Sequence, residues 1–168
     1  MPETPRKLIK NTSVVLDDQW QLVDKEQATI PAGDNLVLPF VLWQKHEQEI
    51  STRNDVGVWF DSDELPFADI AAKLQALPLI AVSFPVFSDG RGFSIARLLR
   101  ERFGYKNELR AIGHVLRDQL CFMRRCGFNS FVLQAHVDAQ AALSSLNEFT
   151  EFYQTAVDQP LPLFRRRG

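Results

Sequence analysis

Between Asp55 and Val157 the chain repeats one pattern four times: a short apolar run, then a turn, then an amphipathic stretch at helical spacing. Val56 to Phe60 is a buried-strand run, followed by Pro66 at a helix start and by Phe67, Ile70, Ala71 and Leu74. Pro78 stops that helix, and Leu79 to Phe84 is the second strand. The loop 85–92 leads to a helix with Ile95, Leu98, Leu99 and Phe103 inward, which Gly104 ends. Glu108 to Ile112 is the third strand, and Leu116, Leu120 and Met123 mark the next helix, up to Gly127. Phe128 to Leu133 is the fourth strand. Asp138 then caps a long helix with Ala142, Leu143, Leu146, Phe149 and Tyr153 on one stripe. Continuous apolar strands between helices predict an α/β fold: four β-α units in a parallel open sheet or a partial TIM-like barrel. A complete eightfold barrel needs about 250 residues, and the chain has 168. In either arrangement the connections are right-handed and sites lie at the carboxyl ends of the strands.

Residues 12–50 precede this core. Thr12 to Leu16 and Gln19 to Val23 are expected to pair as a hairpin around Asp17-Asp18, residues 24–38 to be irregular, and 39–50 to be helical. Residues 56–157 form the β-α core, and 158–168 an extended basic tail with Arg165, Arg166 and Arg167. The whole, 1–168, is expected to be one domain. A chain of this size with 45% hydrophobic residues buries enough surface to fold without disulfides or a structural metal. Two cysteines suit a reducing compartment. Neither a signal-peptide core nor an apolar run of 18 residues is present, so the expected location is the cytoplasm. Exposed sheet edges make an oligomer plausible.

The net charge of −2 argues against nucleic-acid coating, but it averages unlike segments. Residues 1–88 sum to −6, residues 89–125 to +5 and residues 126–168 to −1; eight of the nine basic residues in the middle block are Arg. Arg forks suit bidentate capture of oxyanions and carboxylates. The strand-end rule selects Asp61, Ser62 and Asp63; Ser88, Asp89, Gly90, Arg91, Gly92 and Ser94; Gly113 and His114; and Gln134 and His136. Asp89-Gly-Arg-Gly-Phe-Ser94 is the sharpest of these features. Two glycines permit a tight turn and close ligand approach, and the following helix start favours an anion. Arg91 and Arg97 would complete an oxyanion cradle. The plainer reading is a local Asp89–Arg91 pair. The motif is neither a Walker loop nor GxGxxG.

Arg110 interrupts an apolar strand. It either faces a ligand or pairs with Asp89, Glu108 or Asp118. Arg117, at a helix start, calls for a nearby anion or carboxylate. His114 has the right ordinary pKa for proton transfer, although a lone strand-end His is more often simply exposed. Cys121 and Cys126 point about 140° apart on a helix and cannot bridge. Cys126 is assigned to the core, and Cys121 to a basic face with Arg117 and Arg125. No metal-ligand spacing and no Ser-His-Asp arrangement is present.

The run from Phe84 to Phe131 includes Phe-Pro-Val-Phe-Ser-Asp-Gly-Arg-Gly-Phe-Ser, Glu-Leu-Arg-Ala-Ile-Gly, Val-Leu-Arg-Asp-Gln-Leu and Cys-Gly-Phe-Asn-Ser-Phe. With Val56 to Asp61 it resembles a bacterial family of unknown function. That family is usually encoded beside sulfite reductase and labelled an oxidoreductase involved in sulfite reduction. The residues matching its pattern are Asp89, Arg91, Ser94, Arg97, Arg100, Arg110, Arg117, Asp118 and Gln119, whereas His114 and Asn129 stand where Asp is expected. The resemblance implies a role in sulfate assimilation with the Arg-rich block as working surface.

Two functions follow as expectations. The first is an accessory protein that binds a sulfur oxyanion or a sulfite-reductase partner through Asp89, Gly90, Arg91, Gly92, Ser94, Arg97, Arg110 and Arg117. The second is an oxidoreductase or other enzyme for a small anionic substrate, with Asp61, Asp89 and Asp118 as acid–base candidates. The cofactor is unknown, because no motif for an electron carrier is visible. The expected partner is sulfite reductase or another sulfate-assimilation protein, or a small anion; neither nucleic acid nor membrane is expected.

Overall fold

The computed structural model describes residues 6–147 and 154–166. Its centre is a single eight-stranded sheet, twice the strand number read from the core pattern. The strands are β1 (Lys7–Lys10), β2 (Ser13–Val15), β3 (Gln21–Leu22), β4 (Leu36–Pro39), β5 (Val56–Phe60), β6 (Leu79–Phe84), β7 (Glu108–Gly113) and β8 (Ser130–Leu133). Their order is β2-β1-β8-β7-β6-β5-β4-β3. Strands β3 to β8 run parallel, each beside the next in sequence, while β1 is antiparallel to both β8 and β2. The result is an α/β half-barrel, a curled sheet that stays open.

The N-terminal hairpin differs from expectation. It pairs Lys7–Lys10 with Ser13–Val15, and the reversal is made at Asn11, whose φ is +55°. Asn tolerates that left-handed conformation far better than the Asp17-Asp18 pair would support a two-residue turn. Gln21–Leu22 instead joins the opposite edge of the sheet, against β4. Strand β4 lies in the segment expected to be irregular and is buried throughout.

The link between these edges fixes the shape of the sheet. Val15 ends the edge strand β2 and Gln21 begins the opposite edge strand β3. Six residue steps reach about 22 Å at most. Eight strands laid flat at about 4.8 Å spacing would hold their edges about 34 Å apart. The sheet must therefore curl until its edges approach, with residues 16–20 strapped across the concave face.

Helices cover the convex face. They are α1 (Phe40–Lys45), α2 (Glu47–Ile50), α3 (Ala71–Gln75), α4 (Arg91–Arg97), α5 (Leu120–Cys126), α6 (Ala139–Leu146) and α7 (Leu163–Arg166). Helices α3 and α5 each begin with a 3-10 turn, and α4 continues as a π turn over Leu98–Arg102. The expected 39–50 helix is broken at His46 into α1 and α2. The tail is one helical turn, α7, where an extended segment was expected. Asp138 does cap α6, accepting from the Gln140 and Ala141 N–H groups. The Phe149 and Tyr153 positions of its stripe, and Arg167, lie outside the described residues.

The main core joins the convex side of the sheet, including Val58, Phe60, Ile80, Val82, Leu109, Ala111 and Phe131, to Leu74, Ile95, Leu99, Met123 and Leu146 from the helices. Each such side chain contributes about 1.5–3 kcal/mol through burial. Arg100 is half-buried and donates to the carbonyls of Gly127, Tyr105 and Asn107. It thereby ties its helix to the starts of β7 and β8.

The concave face has its own smaller core of Val37, Trp59, Leu79, Ala81 and Ile112, with Trp20 of the strap packed on it. Its polar centre is Arg110, 4% exposed. Arg110 donates to both carboxylate oxygens of Asp18 on the strap, at 2.7 and 3.0 Å, and twice to Glu108 Oε1. Glu108 Oε2 lies 2.7 Å from Lys10 Nζ on β1. Burial alone would raise the Glu108 carboxyl, but the Arg110 charge and the Lys10 hydrogen bond hold it below its ordinary value. The strap is thus held by a charge chain from β1 through β7. A buried pair of this kind adds little net stability, but removing one member strands the others. Arg110→Met is expected to lower the unfolding free energy by about 3–5 kcal/mol in urea titrations; a loss below about 1 kcal/mol would contradict this role.

Candidate functional site

The carboxyl ends of β5 and β6 bring together the residues around the glycine loop. Strand β5 delivers Asp61 and Ser62, and the loop after β6 delivers Asp89 and Arg91. The Ser62 hydroxyl, almost fully buried, donates to Asp89 Oδ2 at 2.6 Å and accepts from Arg91 Nη2 at 3.2 Å. Arg91 forks onto Asp89, with Nε on Oδ1 at 2.9 Å and Nη2 on Oδ2 at 2.7 Å. The Arg91 backbone N–H, in the first turn of α4, donates to the same carboxylate. The Arg91 guanidinium, followed by the Ser62 hydroxyl, holds the Asp89 carboxyl well below the usual carboxylate range.

This geometry is an anion cradle with a resident anion. The position that an oxyanion would take between the Arg91 fork and the helix start is held by the Asp89 carboxylate. The glycines follow the same logic. Gly90 has φ −85° and Gly92 has no positive φ, so neither makes a left-handed turn. A Cβ on Gly92 would lie 2.7 Å from Phe84 Cε1, so its missing side chain makes room for a ring of the core and not for a ligand.

Beside this pair, Asp61 Oδ2 lies 2.6 Å from Lys25 Nζ, and Asp61 Oδ1 accepts from the Ser62 N–H. Burial pushes the Asp61 carboxyl up, but the Lys25 hydrogen bond, the Ser62 N–H and nearby positive charge bring it below its ordinary value. Two of the three acid–base candidates are therefore held ionised and are poor proton donors near neutral pH. Asp118 is exposed.

The remaining arginines have separate partners. Arg97 pairs with Glu101 one helical turn away on an exposed face. Arg110 is committed to Asp18 and Glu108. Arg117 Nε donates to Ser145 Oγ of α6 at 2.7 Å. Ser94, Ser88, Asp63, His114 and His136 are exposed. Gly113 has φ +86°, and a Cβ there would lie 2.5 Å from the Phe84 carbonyl oxygen; the His114 N–H donates to that same oxygen. Burial pushes the Cys126 thiol up to about 11, consistent with a core thiol. Among the described residues no group of three or more His, Cys, Asp or Glu is arranged to hold a metal ion. No described helix is long and apolar enough to cross a membrane.

Sequence reasoning missed two partners and one surface. Lys25, in the connection from β3 to β4, and Asp18, in the strap, carry no local signal of their pairing. The surface consists of exposed apolar side chains in the strand-end loops: Leu65 and Phe67 after β5, and Val86 and Phe87 after β6. Phe67, expected to face the core, precedes the helical turn and is 60% exposed. A signal was present, because both loops place Pro next to large apolar residues, as Leu-Pro-Phe and Pro-Val-Phe.

Fold and rim together define an α/β half-barrel whose strand-end charges are largely paired with one another and whose strand-end loops are apolar. The chain belongs to the family described as "Bacterial protein of unknown function (DUF934)", which matches residues 57–164 and so spans β5 through the C-terminal turn. No curated protein and no solved structure matches it.

Because the Asp89 carboxyl is depressed in the folded state, its contribution to stability is complete above the ordinary carboxylate pKa of about 4. That contribution is lost as the pH falls from there toward the folded value. In urea titrations, the gap in midpoint between the native chain and Asp89→Asn is expected to be widest near neutral pH and to close under acid. A gap of constant size down to about pH 2 would contradict the pairing.

Proposed function

We propose that the chain is an accessory protein of bacterial sulfite reduction that acts by binding a protein partner. The pathway is supported by the resemblance of the Phe84–Phe131 run to the family encoded beside sulfite reductase. The mode of action is supported by one observation: the strand-end Asp89, Arg91 and Asp61 are bound to one another and to Lys25 and Ser62. Arg91 and Arg110 already hold carboxylates, which favours a protein partner over a free sulfur oxyanion. Carboxylates held ionised by cations favour binding over acid–base turnover.

Deletion of the gene is expected to slow growth on sulfate and to leave growth on cysteine unchanged. Asp61→Asn and Asp118→Asn should each restore growth on sulfate when they accumulate as folded protein. Failure of either folded variant to do so while it still binds its protein partner would indicate an enzyme that uses that carboxylate. Normal growth of the deletion strain on sulfate would remove the chain from the pathway.

A further inference from the structure

We propose that the loops after β5 and β6, with the start of α5, form a docking surface for a protein partner that presents basic residues around an apolar centre. The inference rests on the reading above that the chain works by binding a protein, and it adds the place and the chemistry of contact.

Ten large apolar side chains are exposed among the described residues, and five of them, Leu65, Phe67, Val86, Phe87 and Phe122, belong to these three elements. Isolated surface hydrophobes need no explanation, but a concentration on neighbouring elements does. The three elements are joined to one another. Ser62 and Arg91 reach Asp89 across the first two loops. Gln119 Nε2 donates to the Phe87 carbonyl oxygen at 3.1 Å, linking the second loop to the start of α5. Phe93 of α4 packs at 4.9 Å between ring centroids on Phe122 of α5, and at 5.0 Å on the core ring of Phe84. The exposed aromatic Phe122 is thus seated on the core through Phe93, which limits the side-chain freedom lost on binding.

Charge selects the partner. The segment 61–69 carries Asp61, Asp63, Glu64 and Asp69 and no basic residue. Lys25 pairs with Asp61, and the Arg91 charge is matched by Asp89. Asp63 and Asp69 are exposed beside Leu65 and Phe67. At the start of α5 the exposed Arg117 and Asp118 offset one another, so the surface is apolar with an acidic margin along residues 63–69, although it lies next to the most basic block of the sequence. Its complement is an apolar patch ringed by Lys or Arg, with aromatic anchors such as Phe67 and Phe87 carrying most of the affinity.

The test places a photoreactive phenylalanine at position 67, 87 or, as a control on another exposed apolar site, 161 of the full chain in growing cells. The same partner should be captured from positions 67 and 87 and not from 161, through a segment rich in Lys and Arg beside apolar residues. Asp63→Lys with Asp69→Lys should cut the yield at least about tenfold while thermal unfolding stays unchanged. No capture from 67 and 87, capture through an acidic segment, or capture of a second copy of this chain would overturn the proposal. A basic partner from outside sulfate assimilation would uphold this surface and refute the pathway reading. Sulfite reductase still co-purifying with a Phe67→Ser, Phe87→Ser double variant would refute this surface and uphold the pathway.

Discussion

The ion chain Asp18–Arg110–Glu108–Lys10 is the interaction on which the rest of the architecture depends. Five residues join opposite edges of an eight-stranded sheet, and that span is too short for a flat one. Curling solves the length problem but leaves a concave face without helices. The strap fills part of it with Trp20 and neutralises Arg110 with Asp18. Arg110 sits in the middle of β7, so its partners fix the strap at the centre of the curl and not at its rim.

The same economy of charge governs the carboxyl ends of the strands. In parallel α/β proteins this edge is where ligands bind. Here the Arg91 fork, the first turn of α4 and the Ser62 hydroxyl converge on a carboxylate from the chain itself. Within residues 89–125, Arg91, Arg97 and Arg110 are paired with carboxylates, while Arg100 and Arg117 donate to backbone carbonyls and to Ser145 Oγ. At the glycine loop the Arg91 charge is matched by Asp89. Beside it Leu65 and Phe67 are exposed together with Asp63 and Asp69, a composition suited to a protein partner.

Strands β5 and β6 were legible because each is a nearly continuous apolar run bounded by Pro or Asp, and β7 keeps enough of that pattern around Glu108 and Arg110 to be read. Strands β1 and β4 were not, and β3 was read as a strand but given the wrong partner. Lys7–Lys10 has two charged ends, Gln21–Leu22 has two residues, and Leu36–Pro39 ends in Pro directly before a helix. Such segments are strands because a neighbour pairs with them, and local sequence holds little of that information. The site divides in the same way. Asp89 and Arg91 are two residues apart, and their pairing was a readable alternative. Asp18 and Arg110 are 92 residues apart and meet only because the sheet curls. Phe67 was misassigned because helical spacing was extended one residue upstream of the first turn, where the backbone is still extended.

The central claim is that the arginines at the strand ends and on the concave face are held by the chain's own carboxylates and do not receive a small anion. The most direct measurement follows the Nε–H resonances of Arg91 and Arg110 while sulfite is added to about 10 mM, enough to reveal any site with Kd below about 1 mM. The account requires both resonances to stay in place, and a saturable shift at Arg91 or Arg110 would contradict it.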